Sequence, residues 1–252
     1  FGVGALLSPL ILSNVMRWAG GAITWPYWAL AALFLPGTVG LLLLPSPRNP
    51  EEKVEARHVQ KPDFKLVVLI MILFFVIVGI EAGFGGWIFT YATELELTTV
   101  TAAYNLNSLF WAALTLGRLI SIPLARRLKP SLLIIANLTL CVISLGMILI
   151  WPLSTTVIWI ASAGVGLALS SIFPTLLSLA ETRMKITGGV TGLFYLGSSL
   201  GSTIVPMLLG QIFQYIGHYE LMVTLFLTAC LGFLALIGLN AATGRVGEKI
   251  RS

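Results

Sequence analysis

The chain has 252 residues, 57% of them hydrophobic and 10% charged, with a net charge of +5. A soluble domain carries about 25% charged residues. At a mean hydropathy of +0.96 there is too little polar surface here to clothe a water-soluble globule.

Apolar runs of roughly 20 residues recur along the whole length, the pattern of an all-α polytopic membrane protein. About eight transmembrane helices can be drawn. The first covers 1–15 and the second Thr24 to Leu44, where Pro45-Ser46-Pro47 stops the helix. A hydrophilic stretch, Arg48 to Asp63, follows. Six further spans are predicted at Leu66–Tyr91, Ala102–Ala125, Ser131–Trp151, Val157–Ala180, Gly189–Ile216 and Leu221–Asn240. The expected organisation is therefore two helices over 1–44, a cytoplasmic loop over 45–64, a six-helix bundle over 65–240 and a cytoplasmic tail over 241–252. The chain opens on Phe1, already inside an apolar stretch, so a preceding segment is expected.

Charge orients these spans. With the Arg48–Asp63 loop on one side, fourteen of the 15 Lys and Arg residues fall on that side and only Arg17 lies opposite. The positive-inside rule then places both termini in the cytoplasm. Two spans before the loop and six after it are what remains of a twelve-span protein of two six-span halves when the first four are absent. Transporters of that design bind solute near the midplane between the halves.

Within the Leu66–Tyr91 span lies Gly79-Ile80-Glu81-Ala82-Gly83-Phe84-Gly85-Gly86-Trp87. Glu81 is the one formally charged residue in the middle of any long apolar run. A carboxylate at membrane depth costs about 2.5 kcal/mol or more, so it faces a water-filled cavity or a partner. It can accept sugar hydroxyls, or shed its charge by taking a proton when desolvated. Gly83, Gly85 and Gly86 are candidates for a helix break, or for close approach of another helix. Such a break would bring Glu81 and Trp87, which lie on different faces of an unbroken helix, to one site. Phe84, Trp87 and Tyr91 recur at i, i+3, i+7, and aromatic faces suit the C–H faces of sugars; lipid-facing packing is the alternative. Asn105 and Asn107 are candidate solute ligands because amides both donate and accept, or else interhelical glue. Arg118 is two turns from the end of its span, from where it can snorkel to the interface. Arg126 is a gating candidate or an orientation determinant. Pro174 should kink its span and free backbone carbonyls after Ser170-Ser171. The Asn137-Leu138-Thr139 sequon falls inside a span and is disregarded. An anionic solute would favour a central Arg or Lys, and none lies mid-span.

These residues carry a resemblance. Gly2 to Leu10, Gly79 to Trp87 with Tyr91-Ala92, Gly117-Arg118-Leu119-Ile120-Ser121 with Ala125-Arg126 and Pro130, and Ser170 to Thr175 resemble the fifth, seventh, eighth and tenth helices of a major facilitator superfamily transporter. The branch they are most similar to is that of fucose permease and sodium-dependent glucose transporters. The resemblance covers essentially the whole chain. The resemblance implies a gate role for Arg118; one departure is Ala125, where the superfamily's loop motif often has an acid.

The resemblance implies a partial major facilitator fold that moves a monosaccharide, of glucose or fucose type, with sodium or protons. Alternating access across the plasma membrane is the implied mechanism. Without the family's first four spans, the chain could instead be a non-transporting assembly partner; a non-sugar solute is the other alternative. The lipid bilayer is an expected partner; nucleic acid is not, since no basic cluster with interleaved aromatics appears. Cys141 and Cys230 lie in apolar runs, so neither reads as a disulfide or metal ligand. No metal site, cofactor motif, phosphate-binding loop or paired catalytic set is recognisable, so the chain does not read as an enzyme.

Overall fold

The computed structural model describes residues 15, 18, 24–43, 64–184 and 186–249. The chain divides into two compact units, Phe1–Lys61 and Pro62–Ser252. In the first, apart from positions 15 and 18, the described part is α1, Thr24–Leu43, an apolar helix of 20 residues with Pro36 inside it. The predicted span at 1–15 and the Arg48–Asp63 loop lie outside the described residues, apart from position 15.

The second unit is helical. It comprises α2 (Phe64–Glu94), α3 (Val100–Arg127), α4 (Pro130–Ile150), α5 (Thr155–Leu169), α6 (Ile172–Arg183), α7 (Gly188–Tyr215) and α8 (His218–Lys249). Among the described residues six runs are long and apolar enough to cross a membrane, with α5 and α6 together forming one of them, Thr155–Arg183. The protein is therefore an integral, multi-pass membrane protein. The last helix continues to Lys249, past the Asn240 at which the span was expected to end.

Local chemistry explains the boundaries. After α2 the chain turns through Glu96, whose φ of 51° is left-handed. Thr99 then caps α3, its hydroxyl accepting from the Ala102 N–H. Ser154 and Thr187 cap α5 and α7 in the same way, satisfying amides that a helix start leaves without partners. Pro130 opens α4 at the first turn, where no intrahelical donor is needed.

Helix α2 is the centre of the bundle. Ile70, Leu73, Val76, Ile77, Ile80, Phe84, Ile88 and Tyr91 are fully buried along it. It packs most extensively on α7 and also on α8 and α3, while α5 packs on α3 and α4. The α2–α7 seam depends on residues without side chains. A Cβ at Gly197 would lie 2.6 Å from the Met71 carbonyl oxygen, and one at Gly201 would run into the Phe75 carbonyl. From the other side, Gly79 and Gly83 receive Val205 and Leu209. In lipid, where water does not drive helices together, such close backbone approach is a main source of association.

Candidate functional site

The buried charge on α2 has a partner. The Glu81 carboxylate lies 3.8 Å from the Arg118 guanidinium of α3; their side chains are 12% and 33% exposed. Arg118 therefore reaches inward rather than snorkelling to the interface. Its Nε–H also donates to the Ser170 carbonyl, 3.2 Å away. That carbonyl is available for a local reason. In an α-helix it would accept from the N–H four residues on, and residue 174 is a proline with no N–H. The helix accordingly stops at Leu169 and restarts at Ile172. One guanidinium thus ties α2, α3 and the break between α5 and α6 together. The expectation that no Arg or Lys lies centrally is corrected by this geometry.

The break expected at Pro174 falls one turn earlier, at Ser170–Ser171, because a proline disrupts the turn that precedes it. No break occurs at Gly83, Gly85 or Gly86: α2 is continuous from Phe64 to Glu94. Those glycines have separate uses. Gly83 seats Leu209, Gly85 seats the rings of Phe110 and Trp111, and Gly86 has open space beside it.

Because α2 is unbroken, Glu81 and Trp87 keep different faces. The Trp87 indole N–H donates to the Pro206 carbonyl of α7 at 3.1 Å, and its ring lies against Phe213, with centroids 5.3 Å apart. Phe84 and Tyr91 are fully buried, so the expected aromatic platform is part of the core. Asn107 is half-buried; its amide donates to the Gly85 carbonyl at 3.0 Å. Its Oδ1 is buried and has no partner among the described residues. Asn105 is exposed on α3, and Arg126 is exposed in the last turn of that helix.

Two contributions were missed from sequence. Asn137 donates from α4 to the Ser171 hydroxyl at 2.7 Å and so braces the break. Its signal in the sequence is an amide inside an apolar span, which needs a partner there. Ser170 holds Arg118 through its backbone, and a backbone acceptor can be found only by counting four residues back from Pro174. Among the described residues no group of three or more His, Cys, Asp or Glu could hold a metal ion.

Comparison with known proteins gives a consistent picture. Residues 1–206 match the family model of the Major Facilitator Superfamily. The chain is 32% identical over 172 residues to Major facilitator superfamily domain-containing protein 4A of Pongo abelii, covering 68% of this chain and 33% of the relative. It is 33% identical over 153 residues to Sodium-dependent glucose transporter 1 of Danio rerio, covering 61% of this chain and 25% of that protein. To Sodium-dependent glucose transporter 1A of Mus musculus it is 29% identical over 216 residues, covering 83% of this chain and 50% of that protein. The chain thus spans a quarter to a half of the length of these relatives.

Proposed function

The chain belongs to the major facilitator superfamily, and from that premise we propose that it serves a secondary transporter moving a monosaccharide together with sodium or protons. The observation that carries this reading is the Glu81–Arg118 pair, a carboxylate and a guanidinium held together inside an apolar helix bundle. A paired site has no net charge, yet offers both acceptors and donors, which suits a neutral polyhydroxylated solute. Relatives named as sodium-dependent glucose transporters support the same substrate class.

In this mechanism a solute hydroxyl or a cation competes with Arg118 for the Glu81 carboxylate. The freed guanidinium stays tethered to the Ser170 carbonyl, so occupancy of the site is felt at the α5–α6 break. Alternating access by rocking of helical bundles then exposes the site to each side in turn. Asn107, on the Arg118 face of α3 and with no partner for its Oδ1 among the described residues, is the proposed solute-facing amide. The exposed Asn105 lies on the opposite side of that helix, so its expected place beside Asn107 is corrected. Trp87 and Arg126 flank the pathway, as anchor to α7 and as part of the gate at the cytoplasmic end. The plasma membrane is the proposed location, with both termini in the cytoplasm.

The arginine also favours a second reading, transport of an anionic solute. Uptake of labelled glucose, fucose and a small organic anion, with and without sodium, separates the two. Glu81→Gln should lower coupled sugar uptake at least about tenfold, since the competing carboxylate is the centre of the scheme. Unchanged uptake at normal surface abundance would remove Glu81 from the mechanism.

A further inference from the structure

A crevice opens between α3 and α4. Only Leu128 and Lys129 separate these helices in sequence, yet they make no extensive contact with each other, and each packs on α5 instead. The space left between them is about 220 Å³. Gly117, Ile120, Ser121 and Leu124 line it from α3, and Leu133 and Asn137 from α4. Leu167 and the Ser170–Ser171 break form its floor. The polar groups of this wall are engaged within the protein. Ser121 donates to the Arg118 carbonyl, Ser170 to the Leu167 carbonyl and Asn137 to Ser171. What remains for an occupant is mainly a hydrocarbon surface, inside an apolar span.

The mouth has the opposite character. Positions 117, 120, 121 and 124 share one helix face, and the next turn of that face carries Arg127 and Leu128. One turn before Leu133 on α4 come Lys129 and Pro130. Arg126, Arg127 and Lys129 are all exposed, and among the described residues no ion pair joins them to an acid. Lys129 is also the N-cap of α4 and makes no side-chain cap, so the positive end of that helix adds to the three cations. Leu124, Leu128 and Leu132 are exposed around them.

We propose that this crevice binds one anionic phospholipid of the surrounding bilayer. Its phosphate sits among Arg126, Arg127 and Lys129, and part of an acyl chain lies against Ile120, Leu124 and Leu133. Charge selects the headgroup, and the apolar wall distinguishes a lipid from a soluble anion.

The test uses the 252-residue chain in detergent micelles, with retention of phosphatidylglycerol and phosphatidylcholine measured by native mass spectrometry. Phosphatidylglycerol should be retained in preference. Each cation neutralised in the series Arg126→Gln, Arg127→Gln and Lys129→Gln should weaken it by about fivefold. Ile120→Trp, which fills the crevice and leaves the charges in place, should also weaken it, and inorganic phosphate should not displace it. Equal retention of the two lipids overturns the proposal, as does full retention by the neutralised variants. Retention unaffected by Ile120→Trp would mean surface adsorption, and displacement by phosphate would mean a soluble-anion site; either overturns it. Elution volume and helical circular dichroism report folding. The single Gln variants carry the test if the triple variant elutes aberrantly.

Discussion

Arg118 reaches partners on two other segments, Glu81 on α2 and the Ser170 carbonyl, and its value lies in holding both. A lysine would keep a charge near Glu81 but would lose the planar fork that lets Nε donate to Ser170 while a terminal nitrogen faces the carboxylate. Removing one member of such a pair strands the other in an apolar setting, whereas removing both relieves it. Arg118→Gln and Glu81→Gln should therefore each lower the thermal midpoint in detergent, and the double variant should lose less than the two losses combined. The coupling should be about 1 kcal/mol. Strictly additive losses would mean that the two side chains do not interact. Sequence shows that the Ser170 carbonyl lacks its helical donor, because residue 174 is a proline, but not that Arg118 fills it. The side-chain partner is not legible there either, because nothing local links residue 118 to residue 81.

At the scale of the element, glycines that look alike in sequence do different things. Gly201 meets the Phe75 carbonyl across the α2–α7 seam, so any side chain there must push two backbones apart. Gly201→Ala should cost about 1–3 kcal/mol, the range for overpacking a well-filled interior. Gly86 lies in the middle of continuous α2 with nothing near its missing Cβ. Gly86→Ala should be neutral or stabilising by up to about 1 kcal/mol, since alanine suits a helix better. Melting curves of the two variants check both expectations, and a large loss from Gly86→Ala would revive the helix break. Sequence left breaking and close packing open for this cluster because both need the same residue type. The identity of the facing helix decides between them, and that is a tertiary fact.

Across the whole molecule, the asymmetry of charge makes a prediction about sides. The Leu128–Lys129 turn belongs to the basic side and the Trp151–Ser154 turn to the opposite one. An impermeant maleimide applied to intact cells should label Leu153→Cys, an exposed position, and should label Lys129→Cys only after permeabilisation. The reverse pattern would invert the orientation. Cys141 is fully buried and gives no background at that position.

The class of the molecule and the approximate extent of the six spans after the Arg48–Asp63 stretch were legible in the sequence. Both follow from free energies of transfer that add along the chain, whatever the spans pack against. The same was true of the break before Pro174, which depends on a missing N–H and its carbonyl within one turn. Helix packing, not local sequence, pairs Glu81 and turns Arg118 inward. It also decided that Trp87 is anchored on α7 and that the α2 glycines seat neighbours instead of breaking the helix. Each of these depends on which two helix faces meet, and in an almost uniformly apolar sequence every face is chemically permitted to meet every other. Close backbone approach and a few buried polar partners select among them.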